Sequence, residues 1–300
     1  MSKQLSIITS CYRGEKYLSA FFERVSRQTI FSEIEIVFIA NDPTEWERTI
    51  IESFQEKYPE NIIYKEVARE PISVSMNRAI RASNGEYIFN WDIDDLRTDN
   101  SIELQYKTLS SNDDVMLTYG DFIITQELWS HHGTEIDSPE FERKEFVMSM
   151  HCGPFRAWKK SIHYTVWYFD EQLRSGADFD LMVRIATFFT MKKTYGLLGY
   201  YLNANTWLST GGQKTFFPLQ ARELNIINFR YNILSKIDFF VPIRGYNIYN
   251  FLYQGQYISI SQFWFPEKRE FTFFDRIKST IFTLKYGTLR VVKYIYFTLK

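Results

Sequence analysis

The stretch Glu86-Tyr87-Ile88-Phe89-Asn90-Trp91 leads without interruption into Asp92-Ile93-Asp94-Asp95. The first six residues have the apolar character of a buried strand, and the next four place three carboxylates where that strand would end. Carboxylate oxygens favour hard divalent cations such as Mg²⁺ and Mn²⁺, which commonly bind through one or two carboxylates together with substrate phosphates. The stretch therefore predicts a cation site that handles a phosphorylated substrate.

An acidic turn is the alternative interpretation of Asp92 to Asp95. Asp is common in turns, and these residues would precede a helix predicted to begin near Thr98 to Ser101. The surrounding pattern favours a site, because strands and helices alternate from residue 5 onward and ligand sites in such sheets cluster at the carboxyl ends of the strands.

Apolar runs and helical spacings alternate along the first part of the chain. Buried strands are predicted at residues 5–9, 35–39 and 61–67, and each is followed by a segment whose apolar residues recur at helical spacing. This alternation predicts an α/β fold with a parallel, doubly wound sheet and right-handed crossovers.

The pattern becomes looser after the acidic stretch. Residues 115–125 predict a strand interrupted at Gly120-Asp121, residues 127–139 predict a loop, and a helix is predicted from about Asp178 to Phe189. Further along the chain, the one predicted element is a helix near residues 219–234, in a region rich in aromatic residues.

Composition excludes several classes of protein. The chain has 300 residues, 45% of them hydrophobic, which is ample for a packed core and excludes a disordered chain. The net charge of -1 indicates no nucleic-acid partner. Cys11 and Cys152, the two cysteines, are predicted to be small buried side chains in a reducing cytosol. The sequence shows neither a signal-peptide pattern nor an apolar run of about 18 residues, so neither secretion nor a membrane-spanning helix is expected.

Five further motifs occur in a characteristic order. They are Ile7 to Arg13, Ser26 to Thr29, Ile36 to Asp42, Asn77 to Ala79 with Ala82 to Ile88, and Ala177 to Arg184. Together with the acidic stretch, they resemble the ordered motifs of the family 2 glycosyltransferases with the GT-A fold. The resemblance implies a Rossmann-like, mostly parallel sheet flanked by helices, followed by a C-terminal helical extension.

The resemblance implies a nucleotide-sugar donor, with a UDP-sugar favoured. The residues implied in donor binding are Thr9, Ser10, Tyr12, Asn41, Asp42, Asn77 and Asp92. Tyr12 would offer a stacking face to the base, and Asn41 stands where the family has an Asp. Asp92 and Asp94, supported by Asp95, would hold Mn²⁺ or Mg²⁺ against the diphosphate.

Asp178 is the general base that the resemblance implies for an inverting transfer, which needs one carboxylate to deprotonate the acceptor hydroxyl. The preceding residue, Ala177, stands where the family has a Glu. The alternative is that Asp178 is the N-cap of its helix. The two roles are compatible, because a helix N-terminus is a fixed place from which to present a carboxylate.

The resemblance also predicts a division of the chain. Residues 1–110 would form the nucleotide-sugar-binding half of the GT-A domain, residues 111–215 the acceptor-binding half, and residues 216–300 an aromatic-rich helical extension with a basic amphipathic tail. The tail from Phe273 to Lys300 interleaves apolar residues with six Lys or Arg against one acid, Asp275. Such a segment predicts contact with an anionic membrane surface, and an ordinary helix packed on the domain is the alternative.

The function predicted by these features is an inverting, metal-dependent glycosyltransferase. It would transfer a sugar to a hydroxyl of a glycan or lipid-linked glycan, in surface polysaccharide synthesis on the cytoplasmic face of the membrane. Two alternatives remain open: a nucleotidyltransferase, which would be expected to carry a Gly-rich opening loop with a Lys, and a non-catalytic GT-A-like glycan-binding module.

Overall fold

The computed structural model describes residues 3–203, 219–231, 250–253 and 256–259. The strands in these segments are β1 (Leu5–Cys11), β2 (Ile34–Asn41), β3 (Ile62–Val67), β4 (Tyr87–Asn90), β5 (Leu96–Arg97), β6 (Val115–Thr125), β7 (Thr134–Ile136), β8 (Ala157–Lys159), β9 (Thr190–Leu202), β10 (Asn250–Tyr253) and β11 (Gln256–Ser259). The helices are α1 (Glu15–Ser26), α2 (Glu45–Lys57), α3 (Ile72–Ala82), α4 (Ser101–Ser110), α5 (Arg143–Met148), α6 (His163–Val166), α7 (Ala177–Phe188) and α8 (Leu219–Arg230).

Parallel strands form the first half of the main sheet, in the order β3-β2-β1-β4. All eight residues of β2 are buried, which is expected of a parallel strand covered on both faces. Alternate residues point to opposite faces, so Ile7 packs with α1 whereas Ile8 packs with α3 and α7. The doubly wound arrangement predicted from the strand-helix alternation is present in this half.

Mixed pairing begins where β8 joins the sheet. β8 runs antiparallel to both β4 and β6, while β6 and β9 are parallel, and β5 closes the far edge antiparallel to β9. The predicted interruption at Gly120-Asp121 is a shift of register within one continuous strand. The predicted loop at 127–139 contains the short strand β7, which pairs with β6.

One sheet runs through both predicted halves of the GT-A domain. β4 and β5 lie before residue 110, and they pair with β8 and β9, which lie after it. The site described below therefore has a continuous scaffold beneath it.

The described part of the C-terminal extension is only partly helical. Helix α8 confirms the predicted helix, but β10 and β11 form a hairpin inside the aromatic stretch, where no strand was predicted. The basic tail from Phe273 to Lys300 lies outside the described residues. Within the segments that the structure describes, no helix combines the length and apolarity needed to cross a bilayer.

Candidate active site

The acidic stretch forms a tight turn directly after β4. Trp91 is fully buried, and its indole N–H donates to the carbonyl oxygen of Asp95 at 3.1 Å. The Asp95 backbone N–H in turn donates to the carbonyl of Asp92 at 3.0 Å. The turn thus presents carboxylates at the carboxyl edge of the parallel strands, as the sequence predicted.

The three carboxylates of this turn share a strongly unfavourable environment for negative charge. Burial raises the pKa of Asp92, with Arg156 opposing the rise and Asp178 adding to it. Burial, and then the charge of Asp92, raise the pKa of Asp94 to about 6. Burial and the two neighbouring carboxylates raise the pKa of Asp95 as well. A bound cation would relieve this repulsion.

Arg97 is buried close to the turn and places a positive charge near its carboxylates. Its guanidinium donates to the carbonyl of Asn90 and to the side-chain oxygen of Gln105, both at 2.7 Å. Burial lowers the pKa of Arg97 to about 9, although Asp95 and Asp92 favour its charged form. Sequence reasoning did not select Arg97, and its position two residues after the acidic stretch was the available signal.

The donor set fits a cation held by two protein carboxylates. Within the described segments, no cluster of three or more His, Cys, Asp or Glu residues is arranged to hold a metal ion. Asp95 is buried, and its Oδ1 accepts the backbone N–H of Leu202 at 3.0 Å, so its carboxylate already fixes β9 to the turn. This contact agrees with the supporting role expected of Asp95 beside Asp92 and Asp94, and its part in metal binding stays a prediction.

Asp178 presents its carboxylate from the first turn of α7. The N-cap residue of that helix is Gly176, so the alternative interpretation of Asp178 as the N-cap is wrong. Its Oδ1 accepts the Phe179 N–H at 2.8 Å, and its Oδ2 lies 3.3 Å from the guanidinium of Arg156. The Asp178 side chain keeps 42% of its surface exposed, so a substrate hydroxyl has access to it.

Arg156 connects Asp178 with the acidic turn. Its side chain is 10% exposed, it pairs with Asp178, and it favours the charged form of Asp92. Sequence reasoning missed this residue, which directly follows Phe155 and precedes β8. The structure thus brings Asp92 and Asp178 into one electrostatic environment around a single buried arginine.

Three of the predicted donor-binding residues, Thr9, Ser10 and Tyr12, lie in the last part of β1 or directly after it. Thr9 is buried, and its hydroxyl oxygen has no hydrogen-bond partner among the described residues, whereas Ser10 is half-buried. Tyr12 is 44% exposed, and the Arg69 guanidinium lies 3.7 Å from the centre of its ring. A base stacking on Tyr12 would therefore meet a ring already partnered by an arginine.

Asp42 lies next to this loop. Its guanidinium partner Arg13 is 3.5 Å away, and both residues adopt a φ of 54°. This left-handed backbone is uncommon for residues with a side chain, and it turns the loops after β1 and β2 sharply at the same edge of the sheet. Asp42 thus lies at the carboxyl edge of the parallel strands, and its role in donor binding stays a prediction.

Asn41 and Asn77 are engaged within the protein. The Asn41 amide exchanges two hydrogen bonds with the Glu70 backbone, at 2.8 and 3.0 Å. The Asn77 amide does the same with the Phe169 backbone, at 2.9 Å in both directions. Both side chains are buried and hold loops in place, and the donor contact that the resemblance implies for them stays a prediction.

This chain resembles known proteins in sequence and in fold. A model of glycosyl transferase family 2 matches residues 6–167, which is more than half of the chain. The matched segment includes Asp92, Asp94 and Arg156 and ends before Asp178. The chain is 26% identical over 200 residues to the minor teichoic acid biosynthesis protein GgaB of Bacillus subtilis (strain 168), covering 64% of this chain and 22% of that protein.

A second relative is the uncharacterized glycosyltransferase MJ1057 of Methanocaldococcus jannaschii, at 26% identity over 190 residues, covering 61% of this chain and 65% of that protein. This chain thus spans less than two thirds of the length of either relative. Among solved structures, S. aureus TarS 1-349 in complex with UDP-GlcNAc has a TM-score of 0.59 at 15% identity, covering 77% of this chain and 66% of that one.

The mannosyltransferase PcManGT of Pyrobaculum calidifontis, in complex with GDP-Man and Mn²⁺, has a TM-score of 0.51 at 12% identity, covering 78% of this chain and 63% of that one. At these identities the likeness concerns the fold alone. It confirms the predicted α/β architecture with flanking helices.

Proposed function

The chain belongs to glycosyl transferase family 2, and from this premise we propose that it transfers a sugar from a nucleotide-diphosphate sugar to a hydroxyl of a glycan acceptor. The observation that carries the proposal is the constellation of Asp92, Asp94, Arg156 and Asp178 at the carboxyl edge of the sheet. It combines two carboxylates suited to a cation with a separate, accessible carboxylate suited to proton transfer.

The donor side of the site is proposed to hold a UDP-sugar with Mn²⁺ or Mg²⁺. Asp92 and Asp94 lie at a strand end, and their raised pKa values indicate a place where positive charge is favourable. The TarS structure with UDP-GlcNAc and the PcManGT structure with GDP-Man and Mn²⁺ support a nucleotide-sugar and a metal in this fold. A bound cation would neutralise the diphosphate leaving group as a Lewis acid.

Asp178 is proposed as the general base of an inverting transfer. Its Oδ2 faces Arg156 and its Oδ1 accepts the Phe179 N–H, so the carboxylate is held in one orientation. An acceptor hydroxyl bound beside it would lose its proton to Asp178 as the oxygen attacks the anomeric carbon from the face opposite the leaving nucleotide. The chain supplies this step with its own residues and without a covalent intermediate.

The acceptor is proposed to be a lipid-linked glycan of a surface polymer. The similarity to a minor teichoic acid biosynthesis protein supports the polymer, because that protein is named for such a pathway. The basic amphipathic tail from Phe273 supports a site of action at the cytoplasmic face of the membrane, where lipid-linked glycans are extended.

A panel of nucleotide-sugars, assayed for transfer and for donor hydrolysis with and without Mn²⁺, tests the proposal. The wild type should turn over one donor class, and a double variant Asp92→Asn with Asp94→Asn should lose turnover. Asp99→Asn is a suitable control, because Asp99 is an exposed partner of Arg27 outside the site.

Three results would contradict parts of the proposal. If the double variant turned over at the wild-type rate in EDTA, the assignment of a metal ion to Asp92 and Asp94 would be wrong. Donor binding by the wild type without transfer or hydrolysis would favour a non-catalytic module. Transfer of a nucleotidyl group, with release of pyrophosphate, would favour the nucleotidyltransferase alternative.

A further inference from the structure

Helix α8 contributes a buried carboxylate to the loop that precedes α7. Glu223 has no exposed surface, and its two oxygens accept three consecutive backbone N–H groups. The Arg174 N–H donates to Oε1 at 2.9 Å, and the N–H groups of Ser175 and Gly176 donate to Oε2 at 2.7 and 2.6 Å. Three charge-assisted bonds from one side chain hold this short segment in a single conformation.

The segment held by Glu223 is the entry into α7. Gly176 is the N-cap of that helix and has no side chain to cap it, and its own backbone N–H is one of the three that Glu223 accepts. A carboxylate at this end of a helix also interacts favourably with the helix dipole. Asp178 lies two residues beyond Gly176, in the first turn that this arrangement anchors.

Close packing adds to the anchoring. A Cβ added to Gly176 would approach Ile227 Cδ1 to 3.0 Å and the Cβ of Glu223 to 3.2 Å, both on α8. The two helices therefore meet at a glycine that leaves little room for displacement. A shift of α8 would be transmitted directly to the loop and to Asp178.

A buried ion network fixes α8 to α7 at a second place. Arg230 lies 2.7 Å from Asp170 and 3.0 Å from Asp180, and Asp180 also pairs with Arg184 at 2.6 Å. Burial alone would raise the pKa of Asp180, but Arg184 and Arg230 outweigh it and lower that pKa. The network joins α8 to the first turn of α7 at Asp180, while Glu223 holds the loop that precedes the helix.

We propose that Glu223 is a positioning residue for Asp178. By fixing the amides of residues 174–176, it holds the first turn of α7 and sets where the Asp178 carboxylate meets the acceptor hydroxyl. This inference rests on the proposed role of Asp178 as general base. It also gives α8, which lies beyond the segment matched by the family model, a part in the reaction.

Glu223→Gln is the variant that tests the proposal. The carboxamide has the shape of the carboxylate but only one oxygen, so it can accept backbone N–H groups on one side only. On the other side its NH2 group would face N–H donors, and the hydrogen bonds there would be lost. We expect kcat to fall on the order of 10²-fold, the effect of displacing a reacting group by about 1 Å. The donor KM should stay unchanged, because Asp92 and Asp94 lie on a different element.

Glu35→Gln is a matched control at the opposite end of the sheet. Glu35 is also buried and accepts the backbone N–H groups of Asn84 and Gly85, at 2.5 and 3.2 Å, near the amino ends of the parallel strands. Replacing this carboxylate should destabilise the fold, because buried backbone N–H groups again lose a charged acceptor. It should leave kcat unchanged. Rates are expressed per donor-binding site, so that unfolded protein does not enter kcat.

A double-mutant cycle and amide exchange complete the experiment. If Glu223 acts through Asp178, Glu223→Gln should reduce kcat little further in an Asp178→Asn background. Amides 174–178 should exchange faster in Glu223→Gln and not in Glu35→Gln. Additive losses in the cycle, or unchanged exchange at residues 174–178, would overturn the positioning role.

The outcomes separate this inference from the proposed function. Wild-type kcat in Glu223→Gln beside a large loss in Asp178→Asn would overturn the positioning role and leave the base assignment intact. Full turnover by Asp178→Asn would overturn the base assignment, and the positioning role with it. Absence of transfer by the wild type with every donor would contradict the proposed function itself.

Discussion

At the scale of single residues, Arg156 and Asp178 form the contact on which the proposed chemistry depends. The guanidinium lies 3.3 Å from Asp178 Oδ2 and also favours the charged form of Asp92. Arg156 thus pairs with Asp178 and offsets part of the unfavourable environment of Asp92.

Asp178→Asn should lower turnover by about 10² or more, the usual effect of losing a general base. The amide preserves the shape and can still accept the Phe179 N–H, so donor affinity and melting temperature should remain at the wild-type level. Steady-state kinetics with donor titration and thermal unfolding measure all three. An unchanged kcat, or a large fall in melting temperature, would show that Asp178 is only structural.

His163 is a second residue whose environment has a measurable consequence. Its Nε2 accepts the indole N–H of Trp158 at 3.0 Å, and its Nδ1 lies 2.8 Å from the Trp167 carbonyl, which assigns the proton of the neutral ring to Nδ1. Burial lowers the pKa of His163 to about 4, with further lowering by Arg184, Lys160 and Arg81, although the bond to Trp167 opposes it. Protonation of Nε2 would point a new N–H group at the indole N–H of Trp158, and the hydrogen bond between them would be lost.

The free energy of unfolding should therefore fall as the pH decreases from 6.5 to about 4. In this range the unfolded chain binds a proton at His163 and the folded protein does not, so acid favours unfolding. The contribution lost is about 3 kcal/mol, since one pKa unit corresponds to about 1.4 kcal/mol.

Urea unfolding at several pH values measures this effect. His163→Gln keeps a donor and an acceptor but does not titrate, so it should remove this part of the pH dependence. His132→Gln, at an exposed loop position, should retain it. Equal slopes for all three proteins would contradict the assignment.

At the scale of elements, helix α2 connects the loops that follow β1 and β2. Thr44 is its N-cap, and it forms a capping box in which its hydroxyl accepts the Glu47 N–H and Glu47 accepts the Thr44 N–H. Glu47 also accepts the Gly14 N–H at 2.6 Å and the Cys11 thiol at 3.1 Å. Burial alone would raise the pKa of Glu47, but these backbone donors lower it.

Thr44→Ala should lower the free energy of unfolding by about 1 kcal/mol, the usual cost of a lost N-cap. Thr49→Ala on the same helix is the control, because Thr49 is exposed and bonds only to a carbonyl of its own helix. Alanine has the higher helix propensity, so this control should be neutral or stabilising. Chemical denaturation compares them, and equal effects would show that the cap contributes nothing.

At the scale of the whole molecule, the site lies where the parallel and mixed parts of one sheet meet. β4 ends in the donor carboxylates, and β8, paired antiparallel to β4, begins directly after Arg156. Helix α7 then brings Asp178 to the same place from a distant part of the chain. The described chain thus supplies both sides of the proposed reaction from one continuous scaffold.

Truncation after Glu270 should release the protein from anionic vesicles and leave transfer to a soluble acceptor analogue intact. Each Lys or Arg near such a surface contributes about 1 kcal/mol, and salt screens the attraction. Cosedimentation with anionic and zwitterionic vesicles measures the effect, with the zwitterionic vesicles as control. Equal binding by truncated and full-length proteins would exclude an anchor, and loss of folding would favour a helix packed on the domain.

The sequence by itself determined the elements of the first half of the fold and the place of the donor carboxylates. Buried parallel strands leave continuous apolar runs, so β1 to β4 were readable within about two residues of their observed ends. Amphipathic helices leave a regular spacing, so α1 to α3 were expected in the segments that follow the first three strands. The Asp92 to Asp95 stretch was predicted at a strand end, and the helix that carries Asp178 was predicted as well.

The tertiary structure decided which distant groups meet. The partners of Asn41 and Asn77, the pairing of Arg156 with Asp178, and the three bonds to Glu223 join residues far apart in the chain, and no local pattern specifies such partners. The mixed pairing around β8 and the pairing of β10 with β11 escaped prediction for a related reason. A strand's neighbour depends on long-range packing, whereas its own hydrophobic pattern is local.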